Sequence, residues 1–209
     1  MAAAALGAAW AAGPAGAQDY PWEVRVRAVY LDPANSSDAI PSLAVPSNAI
    51  HVNGKLLPDV DFEYFVTPNW SAELILTYPQ TQTVTVEKSA LGGPTDIGSF
   101  KHLPPILTAK YNFLPGQSFQ PYVGVGVNLT LIYDDNVIVP TVGKLYMKSW
   151  SVGPAAQVGF DYNIAPQWYV NADLKWALIG SSLDLAGVGQ VSYAHINPFL
   201  FGVGVGYRF

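Results

Sequence analysis

PFLFGVGVGYRF, from Pro198 to Phe209, separates into two faces when every second residue is taken. Phe199, Phe201, Val203, Val205, Tyr207 and Phe209 share one parity, and Leu200, Gly202, Gly204, Gly206 and Arg208 share the other. Successive side chains of a strand point to opposite sides, so the segment has one apolar face backed by one nearly empty face. The apolar face is too long, and too aromatic at its ends, for the core of a small soluble sandwich. It fits a strand whose outer side meets lipid between two aromatic girdles.

Composition supports that reading. The chain has 209 residues, 50% hydrophobic and only 12% charged, about half the charge of an average soluble domain. After residue 17 no apolar run reaches the roughly 18 to 20 residues that a spanning helix needs. The apolar residues are dispersed, and 19 Gly with 17 Pro argue against a helical bundle. With no Cys there is no disulfide frame, thiolate metal site, cysteine nucleophile or lipid-modified cysteine. A net charge of −5 supplies no basic field for nucleic acid.

Working back from the C-terminus, the same alternation recurs. Trp168, Val170, Ala172, Leu174, Trp176 and Leu178 oppose Tyr169, Asn171, Asp173, Lys175 and Ala177. Strand-like stretches are also expected at Trp150 to Ile164, Pro121 to about Tyr133, Ile106 to Phe113, Trp70 to Tyr78, Leu57 to Val66 and Glu23 to Leu31. Connections alternate between tight turns at 67–69, 114–120 and 165–167 and long loops near 32–49, 79–99, 134–149 and 180–197; Gly92-Gly93-Pro94 argues against regular structure in the second loop. Eight strands with alternating short and long connections predict an all-β, eight-stranded antiparallel transmembrane barrel with short periplasmic turns and long extracellular loops. A soluble barrel would turn its large apolar residues inward, whereas here the charges share the inward parity. Residues 1–17 carry no charge and end in Ala15-Gly16-Ala17, which reads as an export signal or its remnant, leaving 18–209 as a single barrel domain.

Placing the tight turns on the periplasmic side sorts the inward residues by depth. Arg25, Arg27, Asp59, Asp61, Glu63, Glu73, Lys110, Asp161 and Arg208 fall low, with Asp173 and Lys175 nearer mid-depth. In a lumen too narrow for more than side chains and a few waters they should pair into a plug. Higher up the inward set becomes Val29, Leu31, Leu57, Ile75, Ile106, Thr108, Thr130, Ala155, Ala177, Ile179 and Leu200. A lumen apolar above and ion-paired below is no through-going water pore. It could admit an apolar molecule from outside and release it sideways where the wall lacks hydrogen bonds. Pro104, Pro105 and Pro154, on the strands either side of the fifth, are where this sequence withholds backbone donors.

The stretches SFKHLPPILTAKYNF (99–113), PYVGVGVN (121–128) and GVGVGYRF (202–209) resemble the OmpW family of outer-membrane barrels, which includes AlkL-type alkane-uptake channels, and an aromatic terminus like Phe209 resembles the end of such barrels generally. The likeness extends from about Trp22 to Phe209. It implies an outer-membrane location in a Gram-negative bacterium, a hydrophobic channel open to the outside, and a lateral path into the membrane for small hydrophobic compounds. The implied partners are outer-membrane lipid, small hydrophobic molecules and, through the C-terminal strand, the outer-membrane assembly machinery. Family members are also linked to stress responses and colicin reception, so a structural or receptor barrel is the alternative. A lipid-modifying enzyme is the weaker rival: His51, His102 and His195 fall in or near outer loops without the spacing of a catalytic or metal-binding set. No cofactor or metal is expected.

Overall fold

The computed structural model of the protein describes residues 20–41, 45–87, 92–139 and 143–209; the export segment expected at 1–17 lies outside them. The strands are β1 (Trp22–Asp32), β2 (Ser36–Ser37), β3 (Ile50–Val52), β4 (Lys55–Phe65) and β5 (Trp70–Thr77). They continue with β6 (Gln80–Val86), β7 (Thr95–Leu103), β8 (Ile106–Asn112), β9 (Phe119–Val139) and β10 (Gly143–Met147). The last five are β11 (Trp150–Ala165), β12 (Trp168–Ala177), β13 (Gly180–Leu185), β14 (Gly189–His195) and β15 (Phe199–Arg208).

Eight of them close a barrel in the order β1-β4-β5-β8-β9-β11-β12-β15, with β15 returning to β1. At that seam Val24 faces Tyr207 and Tyr30 faces Phe201. The terminal residue completes the join: Trp22 N donates to Phe209 O at 3.0 Å and Phe209 N to Trp22 O at 2.8 Å. Closure leaves no unpaired edge, which a spanning sheet in hydrocarbon requires. None of the described helical turns is long and apolar enough to cross a membrane; the crossing is made by strands.

The barrel is inside-out relative to a soluble protein. Val26, Phe62, Leu74, Leu107, Val125, Val158 and Val203 stand exposed on its outer wall, while Arg25, Asp61, Glu63, Glu73 and Lys110 are wholly buried within. Aromatic pairs girdle the periplasmic rim, including Trp22 with Tyr64 (centroids 4.7 Å apart), Trp70 with Tyr111 (5.0 Å) and Trp168 with Tyr207 (5.0 Å). Tyr30, Tyr78, Tyr133 and Trp150 mark the outer rim. Rings with one apolar body and one polar tip settle at these two interfaces.

The four long loops depart from expectation. They are largely strands, and they stack a second ring, here called the crown, on the barrel. Its pairing runs β3-β6-β7-β9-β10-β13-β14-β2, with β9 passing through from barrel to crown. Side chains join the ends of that path: Ile50 N donates to Ser37 Oγ (3.3 Å) and Val52 N to Asn35 Oδ1 (2.7 Å). The cause is hydrogen-bond accounting, because rising strands present unpaired donors and acceptors that the neighbouring segment can satisfy by continuing the ladder. QTQTVTV (80–86) has the period-two signal, with Gln80, Gln82, Val84 and Val86 buried and Thr81 and Thr83 exposed. Gly92-Gly93-Pro94 falls at the tip of the β6–β7 hairpin and does not interrupt it.

Candidate functional site

The lower lumen is a two-tier ionic plug. Arg25 anchors the lower tier: Nη1 donates to Glu73 Oε1 (2.8 Å), Nη2 to Asp161 Oδ2 (3.0 Å) and to Glu63, and Nε lies 2.9 Å from Glu23 Oε1. Lys110 Nζ donates to Glu63 Oε2 (2.7 Å) and rests 3.7 Å from the centre of the Tyr122 ring. Arg208 donates twice to Glu23 Oε2 (3.0 and 2.6 Å) between the rings of Phe65 and Tyr169. In the upper tier Arg27 holds Asp59 (3.0 and 2.8 Å), Asp61 (2.9 Å) and Asp173 (2.6 Å), and Lys175 joins at Asp173. Register explains the meeting: Arg27 stands directly opposite Asp59 on one side and Gly204 on the other.

Gln157, Asn171 and Thr108 complete the plug. Gln157 Nε2 donates to Glu73 Oε2 (2.6 Å) and Thr108 Oγ1 (2.9 Å), and Asn171 Nδ2 donates to Asp161 Oδ1 (2.8 Å) and the Tyr122 hydroxyl (3.0 Å). Thr108 therefore belongs to the plug rather than to the upper lumen where its depth had placed it. Glu23 is the acid missing from the expected set. With it, seven carboxylates (Glu23, Asp59, Asp61, Glu63, Glu73, Asp161, Asp173) face five cations (Arg25, Arg27, Lys110, Lys175, Arg208), so the balance is tilted to the acids. Among the described residues the only triple of potential metal ligands is Glu23, Glu63 and Asp161, and Arg25 already pairs with all three.

Above the plug lies an apolar chamber. Its walls are Val29, Leu31, Leu57, Ile75, Ile106, Ile179 and Leu200, joined by Thr77, Gln80, Pro104 and Pro198, and its floor is Arg27, Asp59, Asp173 and Lys175. It contains about 540 Å³ of space between atoms, its open mouth included. That is a narrow slot, with free room for about two waters. Ala155 and Ala177 pack in the surrounding apolar cluster without lining the slot.

The slot touches a break in the wall. The β5–β8 ladder ends at the pair Ile75–Ile106. Continuing that register sets Leu76 against Pro105 and Thr77 against Pro104, and neither proline has an N–H to offer. Pairing resumes only in the crown, at Gln80 with His102. Pro105 remains tied on its other side, its carbonyl accepting Leu129 N at 3.0 Å. The break therefore lies on the β5 side, at the height of lipid-facing Leu76 and Leu107 and the rim residue Tyr78.

Pro154 behaves differently from Pro104, and its expected place at an opening is corrected. It sits inside an unbroken β9–β11 ladder that runs from Trp150–Leu131 to Tyr162–Phe119. Its carbonyl accepts Leu178 N at 2.9 Å, and the donor that the proline lacks is replaced from the lumen: Asn128 Nδ2 reaches both Leu178 O (2.8 Å) and Gly153 O (2.9 Å). Thr130 Oγ1 fixes that amide by donating to Asn128 Oδ1 (3.1 Å), so Thr130 serves this stitch and does not line the slot. We expect Asn128→Ala to leave two buried carbonyls short of a donor, costing about 1–3 kcal/mol; an unchanged urea-unfolding midpoint would refute the stitch.

A second apolar cavity, about 330 Å³ with its open mouth included, lies in the crown between Val52, Val84, Ile97, Phe100, Val137 and Leu183. His102 is buried beneath it. Outward-facing Lys101, paired with Asp134 at 2.9 Å, puts this level above the hydrocarbon. Burial, aided by the Lys55 ammonium, pushes the His102 imidazole down from 6.5 to about 4. An unfolded crown takes up a proton on this ring as pH falls below 6.5, whereas the folded one does so only near 4. The folded crown should therefore lose up to about 3 kcal/mol of stability as pH falls through that window. Amide protection factors in β6 and β7, taken relative to the intrinsic exchange rate at each pH, that fall between pH 6.5 and 4, and fall less in His102→Gln, are the expected result. His51 and His195 stand apart from His102: the first contacts Asn48 O (3.2 Å), the second the Tyr193 ring (4.7 Å).

Comparison with known proteins bears on what this geometry serves. The OmpW family matches residues 22–209. Outer membrane protein W of Vibrio cholerae is 33% identical over 194 residues, spanning 89% of this chain and 87% of the relative. Outer membrane protein AlkL of Ectopseudomonas oleovorans is 28% identical over 176 residues, spanning 79% and 71%. The crystal structure of OprG from Pseudomonas aeruginosa superposes with a TM-score of 0.78 at 25% identity, covering 91% of this chain and 96% of that one.

Proposed function

The chain belongs to the OmpW family of outer-membrane proteins, and on that footing we propose that it carries small hydrophobic molecules passively across the outer leaflet. They enter through the crown, occupy the apolar slot above the plug, and leave sideways between β5 and β8 into the membrane. One observation carries the reading: the slot is floored by paired charges and reaches Thr77 and Pro104, where the wall lacks its ladder. An apolar solute gains nothing by entering the ionic tiers below, since parting those pairs costs several kcal/mol per exposed ion. Lateral exit needs only that Thr77 and Pro104 yield, with no ladder hydrogen bond to break. In the same proposal, the C-terminal strand with Phe209 is the segment read by the assembly machinery.

Ile106 lies at the last paired position beside the break and lines the slot. Cells making wild type should take up n-octane faster than cells making equal amounts of assembled Ile106→Arg, which should approach barrel-free cells. Equal uptake by the two would end the lumen route.

A further inference from the structure

Between the slot and the crown cavity the inward surface changes character. Along β6 the buried residues are Gln80, Gln82, Val84 and Val86; along the facing part of β7 they are Phe100 and His102, followed by Pro104. Gln80 and Pro104 line the slot, whereas Val84 and Phe100 line the crown cavity. Gln82 and His102 therefore separate two apolar chambers with polar side chains, each 2% exposed or less.

Their hydrogen bonds do not close on themselves. Gln80 Nε2 donates to Tyr78 O (2.9 Å), and Gln82 Nε2 lies 3.3 Å from His102 Nε2. What remains without a protein partner is Gln80 Oε1, Gln82 Oε1 and His102 Nδ1. The other buried side-chain atoms in that condition among the described residues belong to the plug: Glu23 Oε1, Arg25 Nε and Asp61 Oδ2 lie within 2.9 Å of an opposite charge, and the remaining two are the amide oxygens of Gln157 and Asn171, whose amide nitrogens already bind plug carboxylates. Around the crown trio nothing comparable compensates. If the Gln82 amide donates to Nε2, the neutral imidazole carries its proton on Nδ1. The trio then presents two acceptors and one donor, and Gln80 and His102 are cross-strand neighbours on the same face. A single group that both donates and accepts satisfies such a pair, and a hydroxyl is the smallest carbon-borne group that does so.

We infer that Gln80, Gln82 and His102 form a hydroxyl-binding station between the chambers, so that the preferred cargo is an apolar chain or ring carrying one hydroxyl rather than a bare hydrocarbon. This rests on the uptake reading above and narrows its substrate class. A hydrocarbon passing the station leaves three polar atoms dry; an alkanol meets at least two of them while its chain stays in the apolar slot.

The test uses the full barrel in lipid nanodiscs with nitrogen-labelled histidine and glutamine, titrated with 1-octanol or n-octane at matched membrane mole fraction. Octanol should shift the His102 Nδ1 and Gln80 or Gln82 side-chain signals and bind roughly fivefold more tightly than octane, the worth of about one neutral hydrogen bond. Gln82→Leu and His102→Leu should bring the ratio towards one, with octane affinity retained. Equal responses to the two ligands in wild type, or no response to either, mean that the station holds bound water only and overturn the inference; this arm needs no variant to fold. Vesicle uptake is measured separately. An octanol-specific shift without uptake of either molecule would remove the transport reading and leave the station standing.

Discussion

Arg25→Met should be the most damaging single substitution in the barrel. The guanidinium touches Glu23, Glu63, Glu73 and Asp161, all buried. Without it the plug holds seven carboxylates against four cations, and removing one partner of a buried pair typically costs about 3–5 kcal/mol because the survivors stay desolvated. With four dependents the loss should lie at or above the top of that range, a large share of the stability of an ordinary domain. The expected result is a barrel that fails to give the compact, heat-modifiable band in detergent, or that unfolds at much lower urea. Adding Asp161→Asn to Arg25→Met removes a stranded charge whose ion pair was with Arg25 and should recover part of the loss. A midpoint unchanged in Arg25→Met would show the lower tier to be wet and weakly coupled.

Gly204→Val should prevent closure of the seam. The strand pairs Gly204 with Arg27 of β1 and Asn171 of β12. A Cβ at 204 would sit 2.3 Å from Val26 O, 2.4 Å from Arg27 Cγ and 2.8 Å from Arg27 Cα. Two of these are main-chain atoms of the facing strand and cannot turn aside, so β1 and β15 would have to separate where the barrel shuts. Overpacking of this kind costs about 1–3 kcal/mol in ordinary cores, and more is expected where the obstruction is backbone. Gly202→Ala supplies the contrast: its nearest neighbours are Asp173 Oδ1 at 2.5 Å and Arg27 Nη1 at 3.4 Å, both ends of side chains. It should assemble, with a weakened upper tier. Equal assembly yields for Gly204→Val and wild type would refute the close-approach role.

These expectations mark where sequence was informative and where it was not. The inner faces of β1, β4 and β15 were legible because strand parity is rigid: once Phe201 and Val203 face lipid, Gly202 and Gly204 must face Arg27. Glu23 escaped the expected plug although its parity was right, because only the C-terminal strand's return brings Arg208 to it. Thr108 and Thr130 were misassigned by depth, since depth does not reveal that Gln157 reaches one and Asn128 the other. The polar loops concealed strands because their outer face meets water, so their alternation runs Gln and Val inward against Thr outward, without the aromatic ends that mark a lipid-facing strand.

From the sequence alone came the eight lipid-facing strands, the outer-membrane class, and the division of the inward residues into charged and apolar sets. All follow from a period of two and the cost of placing charge in hydrocarbon. Tertiary structure decided which proline coincides with the end of a ladder and which is stitched shut, and how the crown stands on the barrel. It also brought Gln80, Gln82 and His102 together between two chambers. The reason is physical: a missing N–H is a property of the residue, but whether Asn128 or nothing stands in its place depends on a side chain 26 positions away that only the closed lumen brings within 2.8 Å of Leu178 O.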